Sequence, residues 1–124
     1  MTLKNTDNEY RITVSNRQTI DSETDTIEET AYGNYTEKNG KQYITYKTEN
    51  DGDKISSMIK IDGNEILIKR TGSVNSSMTY KIDTKKEFLY HLPYGTVPME
   101  IETQRIVSKL DENGGTIELV YTLT

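Results

Sequence analysis

Along most of this chain apolar residues fall at every second position, the period at which a pleated backbone turns its side chains to opposite faces. Tyr10, Ile12 and Val14 share one side of a first segment while Arg11, Thr13 and Ser15 take the other. After Tyr35, the turn "EKNGKQ" carries Asn39-Gly40, a two-residue hairpin signal, and leads into "YITYKTE"; "ENDGDK" then turns into "ISSMIKI". Asp62-Gly63 marks the next hairpin, followed by "NEILIKRTG", in which Ile66, Ile68 and Arg70 alternate with Leu67 and Lys69, and then by "SMTYKID". In "FLYHL" apolar residues lie on both faces, and the following "PYGTVP" predicts a bend or irregular edge, with Pro93 ending one strand and Pro98 interrupting pairing again. "MEIETQRIVSKL" resumes the alternation, with Met99, Ile101, Thr103, Arg105 and Val107 on one side and Glu100, Glu102, Gln104 and Ile106 on the other. The last turn, "DENGGT", feeds "IELVYTLT", where Ile117, Leu119, Tyr121 and Leu123 share a face.

No window has helical periodicity for more than a turn or so, and eight or nine strands in succession leave a sandwich or a barrel. Short sequential hairpins favour a single antiparallel up-and-down β-barrel, whose interior at this strand number just holds side chains or one small ligand. The chain of 124 residues fits one domain spanning 1-124, without a boundary, repeat or low-complexity linker. Its hydrophobic share of 32% approaches that of disordered chains, but nine Tyr, with Thr, Ile and Val and a single Ala at Ala31, favour pleated strands.

Charge and cysteine usage narrow the function. A formal net charge of -5 offers little grip on phosphate backbones, so no nucleic-acid partner is expected. The acidic run "DSETDTIEE" (21–29) reads as a solvated face. The absence of Cys removes disulfides, thiolate nucleophiles and Cys-ligated zinc. The start, "MTLKNTDNEY", has no signal-peptide pattern, and no apolar stretch is long enough to cross a bilayer, so a soluble cytoplasmic protein without membrane attachment is expected.

Catalytic and metal-binding motifs are sparse. His91 is the only histidine, which leaves no His-based metal cluster, and no nucleophile elbow accompanies it. It reads as a structural histidine. Glu100 and Glu102 are two residues apart on one strand face and would split their pKa values for acid–base work if buried, but on a barrel wall they are solvated charges. Neither a phosphate loop nor a calcium loop is present, and no cofactor is implied. The expectation is a protein that is not an enzyme.

"GNYTEKNGKQYITY", "IKRTG" followed by "MTY", "YGTVPMEIETQRI" and "GGTIELVYTL", in that order and spacing, resemble the small bacterial YwiB-like proteins, a family of unknown function, over nearly the whole chain. The resemblance implies a calycin-like, lipocalin-related antiparallel β-barrel found in the cytoplasm of low-GC Gram-positive bacteria, with no established activity. The relatives run past the equivalent of Tyr121 into a further strand whereas this chain stops at Thr124, which leaves two alternatives, a barrel closed by this chain alone or one that a partner chain completes.

Two non-catalytic readings remain. If the Tyr-bearing faces point inward, they either fill the core or line a cavity for a small amphipathic or anionic ligand, with Arg70, Tyr90, Glu102, Arg105 and Tyr121 as candidate contacts. Arg70 shares the face of Ile66 and Ile68 and must find an anion, for which Glu102 is the candidate; Tyr121 is expected to face the core. Alternatively, an uncovered strand edge takes a strand from another chain, either a second copy in a homodimer or a target peptide.

Overall fold

The computed structural model describes residues 10–73, 75–92 and 94–124, and every regular element among them is a strand. These are β1 (Tyr10–Ile20), β2 (Glu23–Lys38), β3 (Lys41–Asn50), β4 (Asp53–Asp62), β5 (Glu65–Gly72), β6 (Ser76–Lys81), β7 (Lys85–Leu92), β8 (Gly95–Leu110) and β9 (Gly114–Leu123). They form one sheet in the order β6-β5-β4-β3-β2-β1-β9-β8-β7, curled into a nearly closed barrel. The predicted hairpins are in place, and at Asn39-Gly40 and Asp51-Gly52 both residues have positive φ, which matches the turn to the twist of the strands it joins. Asp21 and Ser22 do the same between β1 and β2 without a glycine.

The expected strand number and meander are present, with one parallel pair. With nine alternating strands the first and last run in the same direction, so β1 and β9 zip the barrel in parallel from Arg11↔Gly114 to Ile20↔Leu123. Because β9 also pairs with β8, the C-terminal strand leaves no open edge, which decides between the two alternatives left by the sequence. The free edges belong to β6 and β7, which are consecutive yet share no ladder. Where they meet, Ile82 bridges Thr103 of β8 and the Asp83 N–H donates to the Thr103 carbonyl at 3.1 Å.

Two local expectations in the 93–110 segment are corrected. Pro98 does not interrupt pairing, since it lies opposite Leu89 in an unbroken β7–β8 register. It is tolerated because the β9 ladder begins only at Ile101, so at residue 98 the strand has one neighbour and needs one fewer donor. Pro93 lies outside the described residues. A β-bulge between Thr103 and Arg105 shifts the alternation, taking Arg105 outward and bringing Ile106 against the core.

The interior is packed with aliphatic and aromatic side chains from every strand, among them Ile12, Ile44, Ile59, Ile101 and Leu119, each wholly buried. Thr103 is buried with them, and its hydroxyl has no hydrogen-bond partner among the described residues. An unsatisfied buried hydroxyl costs roughly 1–3 kcal/mol. Thr103→Val, which replaces it with a methyl of similar shape, is therefore expected to raise unfolding stability by about 1 kcal/mol in urea denaturation.

Candidate functional site

One part of the barrel is closed by the stacked rings of Tyr10 and Tyr35, 4.9 Å apart at 21°, above the aliphatic core. Elsewhere the packing leaves a cavity of about 300 Å³, bordered by β6 and β7 where no ladder joins them. Met78, Phe88, Met99 and Leu123 form its apolar wall, and Asn16, Gln18 and Arg70 supply polar groups. Arg70 is there because it continues the inward alternation of Ile66 and Ile68 along β5, while Gln18 continues that of Tyr10, Ile12 and Val14 along β1.

Arg70 is the electrostatic centre of this region. Its Nη2 lies 3.8 Å from Glu29 Oε1, its side chain is 26% exposed, and the Tyr46 hydroxyl donates to the same Glu29 oxygen at 3.0 Å. On the opposite side the Tyr121 hydroxyl donates to Gln18 Oε1 at 3.0 Å, and the Tyr80 ring meets Tyr121 edge-on at 5.0 Å. Burial pushes the Tyr80 phenol well above its ordinary value, with neighbouring Tyr121 adding to the shift, while the Arg70 charge opposes it. Burial also raises Tyr46, helped by Glu29, and raises Tyr121, in both cases against Arg70. A guanidinium carries five donors, so the single long ion pair that Arg70 makes among the described residues leaves donors able to receive an anion from the cavity.

Of the candidate ligand contacts named from the sequence, Arg70, Tyr90 and Tyr121 are brought together on the cavity, and His91, read as structural, lines it as well. Tyr90 stands half-exposed at the rim, its ring edge-on to Phe88 at 6.5 Å. Glu102 does not partner Arg70; it is exposed on the outer wall, in register with Lys85 and Thr122. Arg105, turned out by the bulge, bonds Glu118 at 3.0 Å on the same outer surface. Glu100 likewise alternates away from buried Ile101. His91 is exposed, with Nδ1 at 3.4 Å from Thr96 Oγ1 across the β7–β8 hairpin. Among the described residues no group of three or more His, Cys, Asp or Glu is placed to hold a metal ion.

The sequence reading missed Glu29, Gln18, Tyr46 and Tyr80. Glu29 ends the acidic run assigned to solvent, yet it shares its parity with buried Ala31 and Gly33, the signal that it turns inward. No helix among the described residues is long and apolar enough to cross a membrane.

The buried phenols predict an alkaline limit. Burial, reinforced by Tyr35, pushes Tyr10 up to about 12, and Tyr46, Tyr80 and Tyr121 are raised in the same direction. A phenol that ionises less readily when folded contributes stability that is complete below the ordinary value of about 10 and disappears as the pH rises through its folded value. Urea midpoints are expected to stay level up to about pH 10 and fall between about 10 and 12. In Tyr10→Phe that fall is expected to be shallower.

A family model described as Domain of unknown function (DUF1934) matches residues 12–124. The Uncharacterized beta-barrel protein YwiB of Bacillus subtilis (strain 168) is 28% identical over 103 residues, which are 83% of this chain and 72% of the relative. The crystal structure of the ywiB protein from Bacillus subtilis superposes with a TM-score of 0.72 at 28% identity, covering 84% of this chain and 73% of the other.

Proposed function

The chain belongs to the DUF1934 family, a domain of unknown function, and from that premise we propose that it acts by non-covalent binding and not by catalysis, holding a small amphipathic anion in the barrel cavity. The observation that carries this reading is Arg70. A cation on the inner face of a small barrel, facing a cavity and held by one ion pair at 3.8 Å, is costly to desolvate unless an anion repays it. Methionine and aromatic walls suit the apolar part of such a ligand, and about 300 Å³ lies at the small end of ligand pockets. In this reading the protein works in the cytoplasm, as a lipocalin-like carrier without metal or cofactor.

The test follows thermal stability against a panel of amphipathic carboxylates, phosphates and lipids while monitoring turnover of the same compounds. Saturable stabilisation without turnover is expected, reaching about 2.7 kcal/mol at 100 times the dissociation constant. Arg70→Gln is expected to weaken binding about 100-fold, the order found when one partner of a buried charge pair is truncated. Glu29→Gln, which leaves the guanidinium in place, serves as the folding control. Turnover that vanishes on replacing Glu100 or Glu102 would overturn the reading.

The free edges favour a second reading. β6 and β7 each pair on one side only, so a strand from a second copy or from a peptide would extend the sheet there. Concentration-dependent mass in light scattering, abolished by a proline in β6, is the result that supports it.

A further inference from the structure

The outer wall carries a second hollow, of about 490 Å³, whose lining shares no residue with the barrel cavity. It lies over β2 to β5 at the place where Gly33 brings β2 hard against β3. Its chemistry differs from that of the interior. Tyr32 presents a ring that is 58% exposed, Thr45, Ser56 and Thr71 offer hydroxyls, and Lys47 and Lys69 supply two ammonium groups. No carboxylate lines it, and among the described residues neither lysine is in an ion pair. In a chain of net charge -5, two uncompensated cations in an acid-free hollow are a local reversal of sign.

The ladder fixes their arrangement. Lys47 is beside Ser56, and Lys69 is beside Met58, so the two lysines stand on either side of β4. Strands are spaced about 4.8 Å apart and residues about 3.4 Å along each, so the lysine stems, two strands and two residues apart, are rooted roughly 12 Å apart and both heads reach a group seated over β4 beside Ser56. Tyr32 lies one strand further on the β2 side, one step on from the Gly33–Tyr46 pair and so beside Lys47. A stacking platform thus adjoins the first lysine, with Thr45 next along β3, Ser56 between the two lysines on β4 and Thr71 beside Ser56 on β5.

We propose that this groove binds a nucleoside monophosphate, with the base stacked on Tyr32, the ribose over β3 beside Thr45, and the phosphate over Ser56 between Lys47 and Lys69. Aromatic rings stack on any base, and lysine binds phosphate as a point charge. One phosphate suits two lysines, whereas a polymer would need further cations along its backbone from a chain of net charge -5, which disfavours RNA and DNA.

The test is an NMR titration at low ionic strength with UMP and AMP, set against uridine, ribose 5-phosphate and inorganic phosphate. The nucleotides are expected to saturate one site, perturbing the amides of Tyr32, Thr45 and Ser56 but not those of Gln18 or Tyr121, at least tenfold more tightly than the three fragments. Tyr32→Ala is expected to lose about tenfold, within the range for removing one base–aromatic stack. The double variant K47Q/K69Q is expected to lose more and to flatten the salt dependence. These side chains are exposed, so unchanged urea midpoints confirm that the variants fold. Absence of saturation, a fragment that binds as tightly as the nucleotide, or binding undiminished in the variants would each overturn the proposal.

Discussion

Tyr121→Ala is expected to lower unfolding stability by about 3 kcal/mol, a large fraction of what holds a domain of this size together. Tyr121 is 4% exposed and lies on β9 between Leu119 and Leu123, which are also buried. Its ring meets Tyr80 at 5.0 Å, and its hydroxyl holds Gln18 Oε1 at 3.0 Å. Truncation therefore removes a buried ring, an edge-to-face contact and the partner of a half-buried amide. The loss belongs at the lower end of the range for buried aromatics because the ring borders the cavity, where the neighbouring side chains have room to relax. For a domain of this size that corresponds to a fall in Tm of roughly 10 °C. Tyr121→Phe, which keeps the ring and removes one hydrogen bond, is expected to cost about 1 kcal/mol. Urea denaturation of the pair separates the two contributions, and an unmoved midpoint for the alanine variant would mean that the ring does not support the core.

The same residue shows how far alternation carries a reading. Strict period-2 spacing in "IELVYTLT" placed Tyr121 inward, and the same rule placed Arg70 beside Ile66 and Ile68; both are there. What alternation does not give is the neighbour across the barrel. β5 and β2 are separated by two strands in the sheet and meet through the interior, so the partner of Arg70 proved to be Glu29, whose identity was masked by the exposed acids preceding it. Alternation also assumes an unbroken ladder. The bulge between Thr103 and Arg105 has neither Gly nor Pro to mark it, and one extra residue suffices to reverse the face of everything that follows, which is why Arg105 faces water. Closure comes from the β1–β9 ladder, which an odd number of alternating strands makes parallel, and the break in the sheet lies instead between β6 and β7.

Gly33→Ala is expected to destabilise the protein by about 3 kcal/mol, through a cause that has nothing to do with backbone freedom. Gly33 is buried on β2, pairs with both Tyr10 and Tyr46, and is not among the glycines of positive φ, so a left-handed backbone is not what reserves the position for glycine. What it lacks is room. A Cβ there would overlap the carbonyl oxygen of Thr45 and lie 2.8 Å from the Tyr46 Cβ, and a backbone carbonyl in a ladder cannot swing aside as a side chain can. Relief requires β2 and β3 to separate where Tyr46 is held to Glu29, so the strain spreads to the Arg70 pair. Overpacking of this kind costs roughly 1–3 kcal/mol, and a rigid obstacle places it at the upper end. Gly40→Ala provides the contrast: its φ of 78° disfavours a side chain, but nothing lies within 4 Å of the added carbon, so about 1 kcal/mol is expected. Urea midpoints compare the two directly. A Gly33 variant no less stable than the Gly40 variant would show that β2 and β3 do not approach as closely as the clash requires.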